Sequence, residues 1–166
     1  SSDAITTIGP ASTYENWAIA GYDGDSASYF NDVQQANDWN RDNSSSVRAV
    51  FRRECTQSCN NQVWGLRTFY EWWGERGLIE VNGLVTSLSN SRSSGGTYKY
   101  LGQHNGHSYF RTSYSDDWAT HRDQAIADGA YLVVINDEAE HNALGSFGYD
   151  GLVGYYSEKS GSGYTI

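Results

Sequence analysis

Histidine, cysteine and carboxylate side chains are the groups through which a chain could hold metal, form covalent bonds or move protons, and their spacing here limits each. The four histidines, His104, His107, His121 and His141, are scattered. His104-x-x-His107, in a Gly-flanked turn, is the one close pair, and it lacks the His-Glu-x-x-His spacing that sets two imidazoles on one helix face around zinc. Cys55 and Cys59 stand alone as Cys-Thr-Gln-Ser-Cys, with no second pair to complete a four-ligand zinc site. They are either a short disulfide loop or two unpaired thiols, and a serine- and tyrosine-rich acidic composition favours the loop and an extracellular setting. Asp116-Asp117 and Glu138/Glu140 fall at predicted helix starts, where the positive end of the helix dipole accounts for them without catalysis. No Gly-x-Ser-x-Gly elbow, phosphate-binding loop or dinucleotide fingerprint occurs. These residue types point away from an enzyme.

The elements that must carry such residues are clearest in the last third. Tyr98–Leu101 and His107–Phe110 read as strands around a Gly102–Gly106 turn. Ser115 or Asp116 caps a predicted helix from about Asp117 to Asp128, with Trp118, Arg122, Ala125 and Ile126 on one side, and Gly129 ends it. Tyr131–Ile135 reads as a continuous apolar strand, Asp137 opens a second short helix, and Leu152–Tyr155 is a further strand. Upstream, Val63, Leu66, Phe69, Tyr70 and Trp73 fall at helical spacing, and Asn82-Gly83 between two apolar runs, Leu78–Val81 and Leu84–Leu88, predicts a hairpin. Residues 89–96 read as a flexible loop.

Composition sets the outer bounds. The 166 residues suit one domain, and 14% aromatic content opposes a disordered chain. No apolar run approaches a membrane span, so no membrane insertion is expected. Neither Met nor a leader-like segment is present, which reads as a fragment of a longer chain. A net charge of −9 argues against nucleic acid. Residues 1–50 and 101–166 are acidic, while residues 51–100 carry six bases against four acids.

The stretch GHSYFRTSYSDDWATHRDQAIADGAYLVVINDEAEHNAL, followed by GLVGYY, resembles the first half of a C-type lectin-like domain. The matching pieces are Tyr109-Phe110, Trp118, Gly129 through Ile135, Asp137 through Leu144 and Leu152 through Tyr155; the last lacks the usual Trp. The second half of that pattern resembles the other end of the chain, in Tyr14-Glu15-Asn16-Trp17, Trp39-Asn40-Arg41-Asp42 and Val47 through Cys55. The resemblance implies an α+β, C-type lectin-like fold, with two helices and mixed antiparallel sheets, in circularly permuted or split order. Residues 1–55 stand for its C-terminal half, 56–95 for a connector or insertion, and 96–166 for its N-terminal half, within one domain spanning 1–166. Family members pair their first and last strands, so the usual termini lie close enough to be joined. A fragment straddling two tandem domains, or halves exchanged between protomers, are the alternatives.

The same resemblance implies a binding surface on the long loop. Asp23, Asp25, Asn40 and Asp42 are the matching hard oxygen donors for calcium, which takes six to eight such ligands and exchanges water for sugar hydroxyls. The chain departs from the family in lacking Glu-Pro-Asn or Gln-Pro-Asp and in placing Arg41 inside Trp-Asn-Asp, and Asp-Gly-Asp is also a turn sequence. Tyr22, Tyr29, Trp39 and Tyr156, with Asn40 and Asp42, are the expected ligand contacts, whereas Trp17 and Trp118 are expected in the core. The implied function is non-catalytic recognition of a cell-surface glycan or a peptide, assisted by calcium, in an extracellular or cell-surface adhesin module. Calcium-independent binding of a protein receptor is the alternative.

Overall fold

A computed structural model describes residues 6–7, 17–19, 28–30, 47–55, 62–70, 73–160 and 163–165, with side chains over 48–53, 64–65 and 73–154. The strands are β1 (Thr6–Thr7), β2 (Trp17–Ile19), β3 (Ser28–Phe30), β4 (Val47–Cys55), β5 (Gln62–Tyr70), β6 (Leu78–Asn82), β7 (Tyr98–His104), β8 (His107–Thr112), β9 (Tyr131–Leu132), β10 (Gly151–Ser160) and β11 (Gly163–Thr165). The helices are α1 (Trp118–Ala127) and α2 (Glu138–Ser146). One sheet runs β1-β10-β4-β5 with β11 on β10, a second runs β7-β8-β6-β9, and β2 pairs with β3. All of these ladders are antiparallel, which makes the chain α+β.

The core follows from strands that are apolar on both faces. Alternate residues of β4, β6 and β10 go to opposite sides. Ala49, Phe51, Leu78 and Val153 pack with Val133, Ile135 and Leu144 of α2 on one side. Val50, Ile79 and Leu152 pack with Leu132 and with Trp118 and Ala125 of α1 on the other. The two helices therefore cover opposite faces. Gly77 and Leu152 bridge the two larger sheets, and Leu152 N–H donates to the Arg76 carbonyl at 2.8 Å.

Both predicted helices form. Asp117, rather than Ser115 or Asp116, caps α1, its carboxylate accepting from Thr120 N–H at 2.8 Å. Asp137 caps α2 in the same way, through Glu140 N–H at 2.7 Å. The buried side of α1 is Trp118, His121 and Ala125, while Ile126 is 55% exposed. Gly129 follows α1 at φ +81°, a conformation that glycine adopts freely. Trp118 is in the core as expected, with its indole N–H donating to the Val153 carbonyl at 2.8 Å.

Several expectations are overturned. Residues 63–70 are the strand β5, not a helix. Val, Trp, Thr, Phe and Tyr in that run are strand-forming residues, and pairing along the whole of β4 outweighs their helical spacing. Leu84–Leu88 does not return as a hairpin strand, because both edges of β6 are already taken, by β8 and β9. Instead the chain turns at Gly83 (φ +136°) and is tied to the β7–β8 hairpin: Gly83 N–H donates to the Gly106 carbonyl, and Ser108 Oγ accepts from Val85 N–H. That hairpin turn is tighter than Gly102–Gly106, comprising Asn105 and Gly106 at φ +48° and +84°. Only Tyr131 and Leu132 of the predicted strand enter a ladder, although Val133–Ile135 are fully buried. The predicted closing strand β4 lies between β5 and β10, and β7 pairs with β8, so the first and last strands of the resemblance are not neighbours. The middle segment does more than join, since it contributes β5 to one sheet and β6 to the other.

Candidate functional site

The expected ligand contacts are only partly placed. Tyr29 lies in β3 opposite Ala18, and Tyr156 lies in β10 opposite both Thr6 and Arg48. Tyr22, Asp23, Asp25, Trp39, Asn40 and Asp42 lie outside the described residues, as does Cys59, so neither the calcium set nor the disulfide has a geometry here. Among the described residues no group of three or more His, Cys, Asp or Glu is arranged to hold a metal ion, and no helix is long and apolar enough to cross a membrane.

Two other constellations form. The first is a groove of about 490 Å³ lined by Arg53, Trp64, Arg111, Tyr149 and Asp150 with Gly145, Ser146 and Gly148. Arg53 in β4 stands directly opposite Trp64 in β5, on the strand face that carries Phe51 into the core. Trp64 stacks on Phe51 with ring centroids 5.2 Å apart, and its carbonyl accepts from His141 Nε2 at 2.9 Å. Helix α2 approaches closely because residue 145 is glycine: a Cβ there would lie 2.9 Å from the indole ring. On the far side Arg111 donates to Asp150 twice, at 2.9 Å to the carbonyl and 2.6 Å to the carboxylate. Its guanidinium lies 5.3 Å from the Tyr149 ring centre, and Lys99 Nζ lies 4.2 Å from the same centre. Lys99 also donates to the Tyr149 hydroxyl, and this contact holds the phenol below its ordinary pKa.

The second is a buried acid cluster between β6, β8 and α2. Glu80 is fully buried, and burial, with the Glu140 charge nearby, raises its pKa to about 8. The neutral acid fits its surroundings. Oε1 accepts from Val134 N–H at 3.2 Å, and Oε2 accepts from Tyr131 Oη at 2.8 Å and lies 2.6 Å from His107 Nδ1. Glu140 instead faces donors, with Tyr109 Oη at 2.5 Å and Asn136 N–H at 2.8 Å. Both tyrosines are raised above the ordinary phenol range, chiefly by burial. A cavity of about 50 Å³ opens beside Glu140 and is lined by His104, His107, Tyr109, Asn136 and Asp137; it has room for water rather than for an organic ligand. The close histidine pair of the sequence thus faces itself across the hairpin, with His107 bound to Glu80.

Sequence reasoning passed over both constellations. The groove draws on β4, β5, β8, the end of α2 and the turn before β10, so no local motif announces it. Its one signal was the Arg52-Arg53 pair inside the basic middle of an acidic chain. Glu80 was absorbed into an apolar run, where a lone acid in a buried strand was the signal. No known family, curated protein or solved structure matches the chain.

Proposed function

We propose that the chain is a non-catalytic recognition module of C-type lectin-like type, with its two halves in permuted order, acting outside the cell or at its surface. The observation that carries this reading is the pairing of β10. Its residues pair with Thr6–Thr7 of β1 and with Val47–Phe51 of β4, so segments resembling the second half of the family pattern adjoin the strand that ends the first half. In this reading Asp23, Asp25, Asn40 and Asp42 hold calcium, and Tyr22, Tyr29, Trp39 and Tyr156 line a site for a glycan or a short peptide.

The test is a thermal melt with and without calcium, alongside glycan binding before and after chelation. An ion that binds only the folded chain stabilises it by about 2.7 kcal/mol at a hundredfold excess over Kd, which raises Tm by roughly 5–10 °C at this size. Binding should vanish on chelation. An unmoved Tm at millimolar calcium, with glycan binding intact in chelator, would sink the calcium role. A second reading, calcium-independent recognition, is favoured by the Arg53–Trp64–Arg111–Tyr149 groove, whose lining offers guanidinium forks and aromatic surface but a single carboxylate.

A further inference from the structure

We infer that this groove binds a carboxylate-bearing saccharide, such as a hexuronate oligomer, without calcium; the inference rests on the groove being the ligand surface. Two guanidinium groups face one carboxylate across it, and Lys99 adds a third positive charge behind Tyr149. This surplus stands out on a chain with a net charge of −9. Arg111 is committed to Asp150, but Arg53 is exposed and has no ion-pair partner among the described residues. Nor does the end of α2 claim it. The last carbonyls of that helix already accept from Phe147 and Gly148 N–H groups and from Ser146 Oγ. Among the described residues Arg53 thus keeps a free fork, the geometry that meets a carboxylate with two parallel hydrogen bonds.

The remaining lining suits a sugar ring better than a bare anion. Trp64 offers apolar surface beside Arg53, and Ser146 and Asp150 can exchange hydrogen bonds with ring hydroxyls. Tyr149 is pinned by two cations, so it presents a fixed wall that needs little ordering on binding. A volume of about 490 Å³ lies within the usual range for small-ligand sites. An acidic peptide could satisfy the arginines but would leave the indole surface without a flat partner.

Calorimetric titration of the full chain with trigalacturonate, its methyl ester and poly-L-glutamate tests the assignment. Trigalacturonate should bind with unchanged affinity in chelator and more weakly as salt rises. The ester, and separately the exposed Arg53→Gln variant with the acid, should each bind at least tenfold more weakly. Equal affinity for acid and ester, or an Arg53→Gln variant that binds like the parent, overturns the anionic ligand while leaving a sugar groove in place. Tighter binding of poly-L-glutamate overturns the saccharide and assigns a peptide. If none of the three binds, both the saccharide and the groove as ligand surface fall, and the calcium test above still stands on its own.

Discussion

Glu80 is the residue whose surroundings make the sharpest statement about this chain. Its pKa is about 8 in the fold against 4.5 for an ordinary glutamate, so between those values the folded chain holds a proton that the unfolded chain has released. Stability from this site therefore falls as pH rises. His121 and His141 act in the opposite sense. Burial lowers both from 6.5, so what they contribute is present above that pH and is lost as pH falls. From pH 6.5 to 8 the Glu80 site loses up to about 1.4 kcal/mol per pH unit, and the protons still leaving His121 and His141 in the unfolded chain offset part of that loss near pH 6.5. Denaturant titrations across that window should show a net loss of roughly 1 kcal/mol in the parent. Glu80→Gln should lose the downward slope and gain slightly in stability across the window; a variant with the parental slope would place the titration elsewhere. None of this was readable beforehand, because an acid's protonation depends on which groups surround it, and Tyr131 and Val134 come from the segment at β9 while His107 comes from β8.

At the scale of elements, the legible parts were those with local chemistry. Helix α2 was marked by Asp137 at its start and α1 by Gly129 at its end, while the α1 cap, read at Ser115 or Asp116, falls at Asp117, because a cap acts on backbone within one turn of itself. Strand β5 was not legible. Its apolar residues fit periods of both 2 and 3.6, and the partner that decides between them, β4, contributes nothing to the local pattern. The hairpin after Asn82 failed for a related reason, since only the whole sheet reveals that both edges of β6 are taken. Where α2 meets β5, Gly145 leaves no room for a methyl group beside Trp64. Gly145→Ala gains up to about 1 kcal/mol of helix propensity but overpacks the contact by about 1–3 kcal/mol. Urea unfolding should show a net loss of about 1 kcal/mol, together with a changed indole environment in near-UV circular dichroism. A stabilised variant with an unchanged spectrum would show that α2 moves aside freely.

Across the whole molecule, β10 holds the two larger sheets and both core clusters together. Leu152 enters the cluster under α1 and Val153 the one beside α2, while the Gly77–Leu152 bridge and the bond from Gly154 N–H to the Val133 carbonyl join the sheets at the backbone. Neither sheet keeps its core when β10 leaves. Unfolding followed by far-UV circular dichroism and by tryptophan fluorescence should therefore give one coincident transition, and Leu152→Ala should shift both signals together by about 2–5 kcal/mol. Two separated transitions would mean that the sheets fold independently. The strand was legible as Leu152–Tyr155, yet its role was not, because long-range pairing with β1 and β4 leaves no mark on local spacing.

The order of the four-stranded sheet carries one more consequence. Its β9 edge is two residues long, so β7 is the edge long enough to template another strand. That edge is interrupted by the extra residue at Leu101, which shifts register between Tyr100 and Gly102, and it carries the charged Lys99. A neighbouring copy arriving as an added strand meets a kink and a cation together. The hairpin that helps to wall the groove thus also makes this edge a poor template for an added strand.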